Sequence, residues 1–90
     1  MKLVWTLEAV SDREAIFDYI ATDNPVAALD LDKHFEQQIL RLLQHPELGR
    51  AGCVAGTREW VLHRHYICVY DVTIDQLRVL RILHVARQWP

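Results

Sequence analysis

Three stretches in the second half of the chain decide its fold. They are Thr57-Arg58-Glu59-Trp60-Val61-Leu62, Tyr66-Ile67-Cys68-Val69-Tyr70-Asp71-Val72 and Leu77-Arg78-Val79-Leu80-Arg81-Ile82-Leu83-His84. Each is short, rich in β-branched and aromatic residues, and bounded by turn-forming residues, which is the pattern of a strand. Thr73-Ile74-Asp75-Gln76 joins the last two as a hairpin turn, although it lacks an Asn-Gly pair. Strand parity then places Arg78 with Leu80, Ile82 and His84 on one face, and Arg81 with Val79 and Leu83 on the other. Arg81 and His84 share a face only if a bulge or the strand end re-aims one of them.

Upstream the period changes. Lys2 to Thr6 reads as a short strand, and Thr6 suits the N-cap of a helix from Leu7 to about Thr22. Val10, Phe17 and Ile20 fall at helical spacing there, with Ile16 beside them. Asp23-Asn24-Pro25 is a stop and a restart, with Asn24 as a cap and Pro25 at the first helical position. A second helix then runs from Pro25 to about His45. Ala28, Leu31, Phe35, Ile39 and Leu42 make one apolar stripe along it, and Pro46 ends it. The short joint implies an antiparallel helical hairpin. Pro46 to Gly56, with its three glycines, reads as a loop. The order β-α-α-β-β-β predicts a single α+β domain over residues 1–90, a helical hairpin packed on a mainly antiparallel sheet.

Ninety residues make one domain, and 51% apolar content is ample for one small core. Met1-Lys2-Leu3-Val4-Trp5 lacks the apolar core of a secretion signal. Val79 to Ala86 is too short and too interrupted to span a bilayer, so no membrane role is expected. Cys53 and Cys68 have no paired-ligand spacing; Cys68 reads as a buried thiol, and a reducing cytoplasm is the simplest setting. The net charge of −2 hides an asymmetry: residues 1–45 carry −4 and residues 46–90 carry +2. Every basic residue of the second half is arginine, whose planar fork suits phosphate and carboxylate.

His84, at the end of the last strand, has the chemistry of a proton shuttle. Cleavage of RNA by its own 2′-hydroxyl needs a base, an acid for the leaving oxygen and cations for the added phosphate charge, without a metal or cofactor. A half-buried, hydrogen-bonded histidine is the plainer use of the same residue. In His63-Arg64-His65, His63 and His65 share a face if the strand continues, but two imidazoles without a third ligand are a weak metal signal, and a solvated turn is the simpler reading. Arg58, Arg78, Arg81 and Arg87 are either phosphate contacts or members of cross-strand ion pairs with Glu59, Asp71 or Asp75. Trp89 either stacks on a base or plugs an end of the core. His34 and His45 read as surface residues of the second helix. Phosphate-binding glycine loops, zinc spacings and nucleophile elbows are missing, which removes most nucleotide-dependent enzymes.

Several short motifs, in order and at matching spacing, resemble the RelE/ParE superfamily of toxins from type II toxin–antitoxin pairs. They include Trp5, Asp18-Tyr19-Ile20-Ala21, Asn24-Pro25, His45-Pro46, Gly49-Arg50 and Gly56-Thr57-Arg58-Glu59. Tyr66-Ile67, Val69-Tyr70, His84 and Gln88-Trp89 complete the series. The tail is most similar to the ParE and RelE/StbE branch, linked to plasmid stabilisation. The resemblance implies a toxin held inactive by a co-encoded antitoxin, which alone carries the operator-DNA-binding segment.

For RNA-cleaving relatives the resemblance implies a metal-free, ribosome-dependent mRNA endonuclease, or mRNA interferase, that arrests growth. His84 and His65 are then acid/base candidates, Arg58 and Arg81 stabilise the phosphate, and Tyr66, Arg87 and Trp89 bind substrate. A histidine that some of those relatives carry in the second strand is Val61 here. The mildly acidic chain also departs from the basic character of ribosome binders. The alternative is a ParE-like, non-enzymatic toxin that inhibits DNA gyrase. Of the two, mRNA cleavage is the leading expectation.

Overall fold

A computed structural model describes residues 1–87, 89 and 90; Gln88, part of the tail motif, lies outside the described residues. The elements are β1 (Lys2–Trp5), α1 (Leu7–Ala21), α2 (Pro25–Gln44), a 3₁₀ turn (Pro46–Leu48), β2 (Arg50–Ala51), β3 (Arg58–His63), β4 (Tyr66–Val72) and β5 (Gln76–His84). They form the expected α+β arrangement, two helices against one sheet. The strand order is β1-β5-β4-β3-β2, with β1 parallel to β5 and every other pair antiparallel.

β2 was not expected. It is two residues long and pairs Arg50 with Glu59 and Ala51 with Arg58. A pairing that short carries no readable period.

Both helices start on the predicted caps. Asn24 Oδ1 accepts from the Ala27 N–H, and Thr6 Oγ1 accepts from the Ala9 N–H while donating to the Leu80 carbonyl. Thr6 therefore ends the pairing of β1 with β5 and starts α1 at the same point.

Phe35, Ile39 and Leu42 of α2 are buried against Leu62, Cys68, Tyr70, Leu77, Val79 and Ile82 of the sheet, with Leu31 packed at the margin, while Ala28 is buried beside Ile16, Phe17 and Ile20 of α1. The buried residue of α1 is Ala9, with Ile16 packed on the core. Val10, expected on that face, is 40% exposed and lines a groove with Trp5 and Phe17. Cys53 is exposed and Cys68 buried, both free thiols, and burial pushes the Cys68 pKa up.

The predicted parity of the last strand fails at one residue. Val69 faces Arg81 but Tyr70 faces Val79, so Leu80 is an extra residue in β5, a β-bulge. Beyond it the faces exchange. Val79 joins Ile82 and His84 on the helix side, while Arg78 turns to the opposite face with Arg81, where it pairs with Asp71 across the strands. Nothing in the local sequence marks the bulge. It sits where β1 gives way to α1, and Asp12 of α1 takes over the strand edge by accepting from the Ile82 N–H at 3.0 Å.

Candidate functional site

The end of β3, the start of β4 and the end of β5 meet beside α2. β3 stops at His63, Arg64 and His65 make the turn, and Tyr66 opens β4 opposite His84. The turn brings the His63 and His65 rings to 5.9 Å, centroid to centroid. His34 of α2 stands edge-on to His63 at 6.2 Å, and His65 stacks on His84 at 5.7 Å with planes 9° apart. Tyr66 lies among them, 5.5 Å from His84, 6.2 Å from His63 and 5.5 Å from Phe35 in the core. Four of the chain's five histidines thus form one row around a tyrosine anchored by the core.

Hydrogen bonds fix the imidazole chemistry. His84 Nδ1 accepts from the Ala86 N–H at 3.1 Å, and His63 Nδ1 accepts from the His65 N–H at 3.4 Å. In the neutral rings the proton therefore sits on Nε2, where His84 is a donor. Acting as a base at Nε2 requires the other tautomer and loss of the Ala86 bond. The His63 pKa is lowered, first because partial burial disfavours the charged ring, then because His65, His34 and Arg64 repel an added proton.

Below the row opens a groove of about 460 Å³. Asp12, Ala15, Ile16 and Tyr19 of α1 form one wall, and Tyr66, Ile82, Leu83, His84 and Arg87 form the other. The Arg87 N–H donates to the His84 carbonyl at 2.9 Å. His84, His65, Tyr66 and Arg87 therefore converge.

Arg81 lies close by but is held as a bidentate partner of Asp12, at 2.7 and 3.0 Å, with both side chains largely shielded. That hydrogen bonding raises its pKa above the usual guanidinium value. Arg58 sits apart. It faces Tyr70 and donates to the Gly49 carbonyl at 2.8 Å. Four residues of β4 separate that position from the one opposite His84, roughly 13 Å at strand rise. Trp89 is half-buried on the face away from the helices, lining a second groove with Arg50, Glu59, Ile67, Val85 and Arg87.

Among the described residues no group of three or more His, Cys, Asp or Glu is placed to hold a metal. No helix described is long and apolar enough to cross a membrane. Two participants escaped sequence reasoning. His34 enters the row because α2 packs on β3, and Asp12 becomes a strand-edge acceptor where β1 has given way to α1.

The sheet order and the helical hairpin are those of a RelE/ParE-superfamily toxin, and known proteins narrow the class. Residues 3–89 match the family described as the ParE toxin of the type II toxin–antitoxin system parDE. The chain is 33% identical over 90 residues to the toxin Y4kP of Sinorhizobium fredii, covering 99% of this chain and 93% of that one. It is 35% identical over 86 residues to the toxin RelE2 of Caulobacter vibrioides, covering 96% and 97%. A chain of the chromosomal ParDE toxin–antitoxin system from P. aeruginosa superimposes with a TM-score of 0.85 at 29% identity, covering 94% and 96%. The chain belongs to the ParE toxin family of type II toxin–antitoxin systems.

Proposed function

We propose that this toxin works as a ParE-like, non-enzymatic inhibitor of DNA gyrase, neutralised by a cognate antitoxin that also supplies the operator-DNA contacts. The observation that carries this reading is the state of the arginines. RNA cleavage needs cations aimed at the charge that develops on the phosphate. Arg81 is bound to Asp12, Arg78 to Asp71, Arg50 to Glu59, and Arg58 to backbone carbonyls. A chain of net charge −2 is also poorly suited to a ribosome surface. The exposed apolar side chains of the helices, Leu7, Tyr19, Val26 and Leu29, suit a protein partner.

A second reading, ribosome-dependent mRNA cleavage, draws on the convergence of His84, His65 and Tyr66, with Arg87 as the nearest arginine. Purified toxin added to a gyrase supercoiling reaction, and in parallel to a translation extract, separates the two. The proposal expects loss of supercoiling with intact mRNA. Full supercoiling together with cut mRNA replaces it with the second reading.

A further inference from the structure

β1 is an edge strand, and it pairs with β5 alone. The Lys2 N–H donates to the Asp75 carbonyl at 2.8 Å and the Thr6 N–H to the Val79 carbonyl at 3.0 Å, so the even-numbered residues point toward β5. Alternate residues of a parallel strand point opposite ways. The N–H and C=O groups of Leu3 and Trp5 are therefore turned outward, and among the described residues nothing bonds them. The far edge of the sheet is blunted by the two-residue β2. The ends of β1 carry charge and apolar surface of their own. Lys2 and Glu8 are exposed, and among the described residues neither has an ion-pair partner. Met1 is 55% exposed and Leu7 86%.

We infer that β1 is the contact of a reversible dimer of this chain, in which two copies pair their β1 strands antiparallel across a two-fold axis at Val4. Leu3 of each copy then faces Trp5 of the other, and the N–H···O=C bonds between them satisfy every outward group of both strands. The same register sets Met1 against Leu7, so exposed apolar side chains cover one another. It also sets Lys2 against Thr6, beside the first turn of α1 where Glu8 stands. Each Lys2 thus meets an acidic residue of the other copy, and the match occurs twice because the contact is isologous.

Charge also selects the orientation. In the antiparallel pair the two lysines lie four residues apart, roughly 13 Å at strand rise. An in-register parallel pair would set them side by side, and like charges directly opposite one another are unfavourable. An unrelated extended peptide could bond the same edge, but a second copy brings both the opposite charge and the apolar ends at the spacing this edge requires. The inference holds whichever target the toxin attacks.

The test is sedimentation equilibrium of the full chain from about 10 to about 500 µM, a range suited to an interface well below standard size. The expected result is a concentration-dependent equilibrium between monomer and dimer. Lys2→Glu and Glu8→Lys should each raise the dissociation constant about tenfold, because each reversal turns two attractions into two repulsions. Lys2→Glu combined with Glu8→Lys re-forms both pairs and should return to within about threefold of wild type. Both side chains are exposed, and unchanged melting temperatures at the lowest concentration verify the variants' folds. Amide exchange followed by NMR reads the edge itself. The Leu3 and Trp5 amides should exchange more slowly as concentration rises, while Thr6, bonded within the chain, stays protected throughout. A monomer across the whole range, a dimer that ignores the single reversals or is not restored by the swap, or Leu3 and Trp5 amides that exchange at one rate at all concentrations overturns the inference.

Discussion

Asp12 joins two elements through three hydrogen bonds, two from Arg81 and one from the Ile82 N–H, and its side chain is only 14% exposed. Replacing it by Ala strands a guanidinium and a backbone donor, and should cost about 2–3 kcal/mol in a urea titration. Tyr70 has a similar post. Its hydroxyl donates to the Pro46 carbonyl at 2.7 Å and accepts from the Gly49 N–H at 2.9 Å, and burial, the leading cause, raises its pKa. Tyr70→Phe leaves that buried N–H without an acceptor and should cost about 2 kcal/mol. Gly49→Ala should be worse, about 3 kcal/mol, because the new Cβ would lie 2.5 Å from the Tyr70 hydroxyl and 2.9 Å from the Glu59 carbonyl. Wild-type midpoints for both variants in a urea titration would show the contact between the 3₁₀ turn and the sheet to be dispensable. His63 contributes a pH dependence to stability. Its folded-state pKa lies below the unfolded value, so the unfolded chain binds the proton more readily. Stability should therefore hold above the ordinary histidine pKa and decline as pH falls below it. His63→Asn should reduce that decline in thermal melts followed from neutral to mildly acid pH.

At the scale of elements, much was legible. Thr6, Asn24-Pro25 and Pro46 carry their own stereochemistry, so helix ends could be placed from residue type. The stripe from Leu31 to Leu42 packs on the core as its spacing requires, with Ala28 turned to α1. Leu42→Ala should accordingly cost about 2–5 kcal/mol in urea, against about 1 kcal/mol for the cap variant Asn24→Ala. What stayed hidden depends on contacts distant in sequence. The Leu80 bulge answers the end of β1, some 75 residues earlier in the chain. It moved Arg78 off the face of His84 and gave Arg81 to Asp12. The site divides the same way. His65, Tyr66, Arg87 and His84 come together because hairpin pairing already implied that end. Arg58 could not be placed by type alone, since its partner is a carbonyl in a loop of no readable period.

At the scale of the whole molecule, charge and shape suit the proposed binding toxin. Among the described residues five arginines are committed to internal partners, four to carboxylates and Arg58 to carbonyls, while the histidine row and the apolar helix faces remain open. A small domain with so much exposed apolar surface gains from a partner, and the cognate antitoxin should raise the melting temperature by mass action. Under the proposed gyrase inhibition, toxicity comes from binding and not from cutting. The most direct test is to induce the toxin alone in cells, mapping mRNA 5′ ends and gyrase-linked DNA breaks within minutes, with wild type beside His84→Ala. Gyrase inhibition predicts intact transcripts, stalled gyrase on broken DNA and an SOS response in both strains, altered in degree by the mutation. New transcript ends that vanish in His84→Ala, with undamaged DNA, would contradict it and make His84 part of an RNA-cleaving site.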